Sequence, residues 1–330
     1  MADYLDVKSK PRFVVFGTSN FTIACTDSIR EAGADVVAMI TLPPEDLPDN
    51  AADIASYAQE NNLRCKFIRD INGQESIEYL NHINPDYILS SWPNLMSQRV
   101  IDLPNNFIIG SHPTTLPYNR GRHPLHWMIV LGIKSTALSF FIVNAGVDAG
   151  PILHQEPFEL DLDETVESAN TKMEQAGARG IKRVYEAILS NPAFSGTSQD
   201  QSLANTWRKR TPSDVTIDPR LTVETIIQMV RSFAPPYPCA NLLFEHYLLK
   251  IEVARKALVN MSADESKRTE YGKILTISKN KLTFKVADGW IELNCTENVP
   301  KSLLNKRYIH PPTYYLAKYP SEFGMIFDVD

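Results

Sequence analysis

Cysteine is scarce: the 330 residues contain four, at positions 25, 65, 239 and 295. None stands in a C-x-x-C pair, so neither a disulfide framework nor a thiolate zinc site is indicated, and four buried thiols are expected. Long apolar runs are also missing. No stretch approaches the roughly 18 to 20 residues of a bilayer-spanning helix, and the start of the chain, 1–10, is too charged for a signal peptide. The expected setting is the cytoplasm, with no membrane partner and no metal. Basic charge is not in excess either, since the formal net charge is −6 and the sequence pI is near 5.7. Nucleic acid, whose phosphates call for clustered lysine and arginine, is therefore disfavoured as a partner. The densest basic run, Arg208-Lys209-Arg210, reads as a solvated stretch in a linker. Finally, no glycine-rich cradle follows the first strand. Gly17-Thr18-Ser19-Asn20 has one glycine and two hydroxyls and matches neither G-x-G-x-x-G nor the Walker pattern.

What is present is ordinary globular composition, 43% hydrophobic and 22% charged, in a chain long enough for two cores. Short apolar runs at 12–16, 36–41, 64–67, 87–91 and 107–111 alternate with helical spacing over 21–32, 51–61 and 73–83. Such alternation predicts an α/β fold whose mostly parallel, Rossmann-like sheet is covered by helices. A short helix at 124–131, strands at 136–144 and 152–158 and a long amphipathic helix at 164–190 continue it. The serine-, asparagine- and glutamine-rich stretch 191–203 reads as a linker or surface excursion. Beyond it come a helix at 223–233 and strand-like runs at 241–244, 247–253, 272–278, 281–286 and 290–295, which suggest a small β-barrel or sandwich. The expected division is a catalytic domain over 1–204 and a helix plus β-rich domain over 205–330.

Acid/base chemistry is suggested by one segment. Gly110-Ser111-His112-Pro113 leaves the end of a buried-type strand, where open α/β sheets bind ligands, and the proline holds His112 extended with its ring toward the crevice. Thirty-six residues later, Asp148 lies between Gly146 and Gly150, as a working carboxylate or as an Asx-turn residue. His123, His126 and His154 read as structural. Thr18, Ser19 and Asn20 either cap the first helix or hold a substrate anion at its N-terminus.

The pattern His112-Pro-x-x-Leu-Pro-x-x-Arg120-Gly-x-x-Pro124, then a helix, a strand and Gly146-x-Asp148-x-Gly150-x-Ile152, resembles the formyltransferase family that uses N10-formyltetrahydrofolate. The likeness runs on through Phe16-Gly-Thr18, Asn84-Pro-Asp86, Ile101-Asp-Leu-Pro104, Arg210-Thr-Pro-Ser-Asp214 and Pro236-Tyr-Pro238. It implies a Rossmann-like formyltransferase domain followed by a smaller OB-like domain, and an enzyme that moves a formyl group from the folate to an amine. By resemblance, His112 stabilises the oxyanion and shuttles protons while Asp148 orients the imidazole. The family carries an asparagine two residues before its histidine, and here that place is Gly110. Ser111, Asn94, Asn119 or a backbone N–H could supply the missing donor. The folate would lie along Ser91, Trp92, Asn94 and Leu95 and along Asn144, Ala145, Gly146, Val147 and Asp148, with Trp92 read alternatively as a core aromatic.

For the accepting amine, 42–49 is short and acidic where the family's tRNA enzyme has a basic insertion, which speaks against tRNA. The expected substrate is an amino sugar, nucleotide-linked or acidic, with Thr18, Ser19, Asn20 and Arg120 or Arg122 as its contacts. The alternatives are methionyl-tRNA formylation, a catalytically weakened folate or nucleotide-sugar binding protein, and hydrolysis of the formyl folate. The C-terminal domain could bind substrate, form a homodimer or stabilise the fold.

Overall fold

The computed structural model describes residues 10–48, 51–191 and 193–327; the charged start of the chain through Ser9, Asp49 of the acidic loop, Asn50 and Pro192 lie outside the described residues. Two compact units are formed. One contains residues through Gly121, then Ser135–Glu159 and Thr171–Trp207, and the other contains Arg122–Lys134, Leu160–Asn170 and the chain from Arg208 onward.

The first unit alternates strand and helix as β1 (Arg12–Phe16), α1 (Asn20–Glu31), β2 (Asp35–Thr41), α2 (Ile54–Glu60), β3 (Cys65–Phe67), α3 (Gln74–Ile83), β4 (Tyr87–Ser90), α4 (Gln98–Ile101) and β5 (Phe107–His112). The short β6 (Arg120–Gly121) follows, then α5 (Pro124–Val130) of the second unit, then β7 (Ser135–Ile142) and β8 (Ile152–Glu159). Seven strands make one sheet in the order β3-β2-β1-β4-β5-β7-β8, with β1 to β5 parallel and β7 and β8 antiparallel. Strand β1 is central and its Phe13 to Phe16 are fully buried, which explains why it is apolar without alternation. The order reverses between β1 and β4, so their carboxyl ends splay apart and leave a crevice. Helix α3 stops at Asn84, whose left-handed backbone (φ 51°) closes it before Pro85.

The long α6 (Val166–Ser190) runs through both units. Past it, 193–203 is a docked surface segment and not a loose linker. Thr197 exchanges both backbone hydrogen bonds with Ile152 at 2.8 Å, and β9 (Thr206–Trp207) pairs in parallel with β6. The Gln199 and Gln201 side chains are spent on Arg120, and Gln199 also on the Asp148 and Gly150 carbonyls, so a linker-like composition here marks long-range bonds.

The second unit pairs α7 (Val223–Arg231) with a five-stranded antiparallel sheet of β10 (Ala240–Phe244), β11 (Tyr247–Lys256), β12 (Ile274–Ser278), β13 (Lys281–Lys285) and β14 (Trp290–Cys295), in the order β10-β11-β14-β13-β12. Helix α8 (Ala263–Arg268) lies between β11 and β12 in the chain, and α9 (Pro312–Lys318) and α10 (Pro320–Phe327) end it. Ile226, Leu242, Phe244, Ile251, Phe284 and Leu293 form its fully buried core. Thr222 caps α7 by accepting the Thr225 N–H.

Arg210 corrects the reading of a solvated basic run. It is 4% exposed, with its guanidinium over the rings of Trp127 (5.1 Å) and Phe233 (5.0 Å), and it donates to Ser232 Oγ and the Asp214 carbonyl, both at 2.9 Å. Burial pulls its pKa down to about 10. Arg208 is exposed and forks onto Asp214 at 2.6 Å. Cys25, Cys239 and Cys295 are buried thiols and Cys65 is half-buried.

Candidate active site

A cleft of about 320 Å³ opens at the carboxyl ends of β1, β4 and β5. A smaller void of about 60 Å³, lined by Ile129, Gln228 and Arg231 in the second unit, is too small for a folate or a sugar.

His112 is the last residue of β5, and its ring is 5% exposed, turned inward instead of standing open in the crevice. The cause is a partner for each nitrogen. Nε2 lies 2.8 Å from the carbonyl of Asn119, and since a carbonyl only accepts, Nε2 carries the proton. Nδ1 faces Asp148 Oδ2 at 3.5 Å. Asp148 sits in the β7–β8 turn with its backbone left-handed (φ 50°), a conformation that aspartate tolerates better than most residues. Its Oδ2 also accepts the Gly121 N–H at 3.0 Å. Asp148 lines the cleft and His112 does not, so of the pair it is the carboxylate that faces the cleft. Gly150 is needed in the same turn, because a Cβ there would stand 1.7 Å from the Ile142 carbonyl oxygen.

Gly110 also lines the cleft. A Cβ built on it would meet Phe141 Cζ at 2.8 Å and Val143 Cγ2 at 2.9 Å. The space for a side chain at this position is therefore filled by apolar groups. Beside it, in sheet register with Gly110, stands Ser90, 6% exposed and lining the cleft. Side chains two apart along a strand share a face, so Ser90 lies on the His112 side of the sheet and Ser111 on the other. Sequence reading passed over Ser90 because a serine ending an apolar run carries no motif.

The cleft gathers most of the other expected residues: Ser19, Ser91, Trp92, Asn94, Leu95 and the turn from Asn144 through Val147. Ser91 Oγ is bonded to Thr22 Oγ1 at 2.7 Å. Trp92 packs edge-on against Phe16 with centroids 6.1 Å apart, and its Nε1–H has no partner among the described residues. Asn94 and Leu95 are exposed, and their loop is held by Asn72, which donates to the Leu95 carbonyl (3.0 Å) and accepts the Ser97 N–H (2.7 Å). Asn144 Oδ1 accepts the Gly146 N–H at 3.0 Å, shaping the opposite wall. Ser19 stands at the N-cap of α1 without a side-chain capping bond, Thr18 is buried beside it and Asn20 is exposed.

Neither arginine lines this cleft. Arg120 is 7% exposed and donates to Gln199 Oε1 (2.6 Å) and Gln201 Oε1 (2.9 Å). Arg122 belongs to the second unit and is exposed. Among the described residues no group of three or more His, Cys, Asp or Glu is placed to hold a metal ion, and no helix is long and apolar enough to cross a membrane.

A carboxylate at the wall of a ligand-sized cleft, backed by an imidazole of fixed tautomer, is equipment for moving a proton during acyl transfer. Residues 11–185 match the sequence profile described as formyl transferase, and 209–302 match the formyl transferase C-terminal domain. The chain belongs to the formyl transferase family. Among curated relatives of this formyltransferase is the methionyl-tRNA formyltransferase of Ruminiclostridium cellulolyticum, 24% identical over 287 residues, with 85% of this chain and 89% of the relative covered. Solved structures of similar fold include the sugar 3N-formyl transferase WlaRD, at 15% identity and TM-score 0.62 over 88% of this chain and 99% of that one. The N-formyltransferase from Helicobacter canadensis is similar at 14% identity and TM-score 0.61, covering 87% and 99%.

Proposed function

We propose that this formyltransferase moves the formyl group of N10-formyltetrahydrofolate to the amino group of an amino sugar, nucleotide-linked or acidic, in the cytoplasm. The observation that carries the reading is the Asp148 carboxylate on the cleft wall with His112 at 3.5 Å behind it. WlaRD was solved in the presence of dTDP and 5-N-formyl-THF, and the Helicobacter canadensis enzyme in complex with folinic acid and dTDP-3-aminofucose. Both support a folate and a sugar nucleotide for the present cleft.

The folate supplies the formyl group and leaves as tetrahydrofolate. The unpartnered Trp92 Nε1–H suits a polar edge of its ring system, and Leu95 and Val147 give apolar walls. Asp148 takes the proton released as the amine attacks and returns it to the departing folate N10, with Nδ1 of the His112 imidazole behind it able to hold that proton in between. Negative charge developing on the formyl oxygen needs donors. The Ser90 hydroxyl, which lines the cleft on the face of His112, supplies one such donor. Arg120, held by Gln199 and Gln201, is not free to contact a substrate anion.

A second reading, formylation of methionyl-tRNA, is favoured by the names of the sequence relatives. Against it stands the loop after β2, whose described residues, 42–48, carry Glu45 and Asp46, paired with Arg69, and no lysine or arginine to meet phosphates. Incubation with N10-formyltetrahydrofolate and a panel of amino sugars, nucleotide-linked sugars and methionyl-tRNA, read as tetrahydrofolate release, decides between them. Release with the sugars, and a loss on the order of 10² in Ser90→Ala, is expected. Release only with methionyl-tRNA, formate without any acceptor, or no release at all would each replace the proposal.

A further inference from the structure

The chain between the two family-matched regions reaches back into the active site. Gln199, 8% exposed, donates through Nε2 to the Asp148 carbonyl (2.9 Å) and to the Gly150 carbonyl (2.7 Å), and its Oε1 is held by Arg120 at 2.6 Å. One side-chain amide thus ties down the residue that presents the carboxylate and the glycine two residues on. Six residues on, Asn205 grips Asn119 twice: its Oδ1 accepts the Asn119 N–H at 2.8 Å and its Nδ2 donates to Asn119 Oδ1 at 3.0 Å. The Asn119 backbone is left-handed (φ 61°), and its carbonyl is the acceptor for His112 Nε2. The Arg120 N–H adds a bond to the Asn205 carbonyl at 3.0 Å.

We propose that residues 199–205 form a positioning strap that sets the His112–Asp148 geometry, with Gln199 governing the carboxylate and Asn205, through Asn119, governing the imidazole tautomer. Arg120 is the buried anchor of the strap, which explains an arginine turned away from the cleft. Its Nε has no partner among the described residues, so it is held there by its two glutamine contacts. The strap lies outside both matched regions, 11–185 and 209–302. Gln199 and Asn205 touch neither reacting group directly except through backbone carbonyls, and they are positioning residues.

The inference rests on the formyl-transfer reading, and the test separates the two. Full-length wild type, Gln199→Leu, Asn205→Ala and the strap-surface control Ser202→Ala are compared in tetrahydrofolate release and in the ¹⁵N spectrum of the His112 imidazole. In wild type the spectrum is expected to show the Nε2–H form. In Asn205→Ala that signal moves toward an average of the two tautomers, and kcat falls about tenfold or more while KM changes less than about twofold, as misplacement without lost binding would give. Gln199→Leu lowers kcat similarly without altering the His112 tautomer, and Ser202→Ala matches wild type. If Asn205→Ala fails to fold, Asn205→Asp, which keeps the acceptor for the Asn119 N–H, takes its place with a smaller loss of kcat and the same spectral shift. Unchanged kcat and an unchanged His112 spectrum in folded variants would overturn the strap, as would a rise in KM alone. If wild type releases no tetrahydrofolate, the formyl-transfer reading fails and the spectrum alone still judges the strap.

Discussion

Two buried histidines show how little burial says about chemistry. His112 has an acceptor at each nitrogen, one of them a carboxylate that lines a cleft. His126, in the second unit, donates from Nδ1 to the Ser232 carbonyl at 2.5 Å, and its ring lies 4.8 Å from those of both Phe233 and Tyr237, beside the buried Arg210. Burial drives its pKa down to about 4, the Ser232 carbonyl opposes this, and the Arg210 charge adds to the fall. One histidine backs a carboxylate on a cleft wall, as the proposed proton transfer needs, and burial keeps the other neutral as a polar aromatic spacer. What the partners are, and whether one of them reaches a cleft, decides the role.

The sharpest way to break this comparison is by turnover. His112→Ala and Asp148→Ala are expected to lose on the order of 10²–10⁴ in kcat, the range of a lost acid/base group, whereas His126→Phe stays within about twofold of wild type in tetrahydrofolate release. Equal losses at the two histidines would erase the distinction.

Stability against pH tests the other half. The folded pKa of His126 is below its ordinary 6.5, so the unfolded chain binds the proton first as pH falls. The stabilisation is complete above about pH 6.5, drains away between there and about pH 4, and amounts to roughly 3 kcal/mol at its limit. Urea melts from pH 7 to 4 should show this slope in wild type and a flatter one in His126→Phe. A steeper slope in the variant would remove His126 as its source.

A smaller effect is expected at Gly110. Asparagine there restores the family residue on paper, yet its Cβ must push aside Phe141 and Val143. Overpacking of this kind costs about 1–3 kcal/mol, so Gly110→Asn should melt earlier in urea and gain no kcat. A gain in turnover would show that the amide finds room.

Much of this was legible before any coordinates. The parallel strands announced themselves as short apolar runs because both their faces are buried, and His112 and Asp148 stood in a spaced motif. Of the two readings of the stretch after α6, surface excursion holds and linker does not, and the linker reading and the solvated reading of Arg210 went astray for one reason. Polar and cationic residues were judged by composition, while their partners Ile152, Asp148, Trp127 and Phe233 are distant in sequence. Ser90, Gln199 and Asn205 left no local signal, since each acts through sheet register or one long-range bond.

The filled space beside Gly110 also bears on redesign. A side chain returned to position 110 has to displace Phe141 and Val143 from the space they now fill. Restoring an amide there is therefore a three-residue problem, in which room must be made at both neighbours along with the substitution itself.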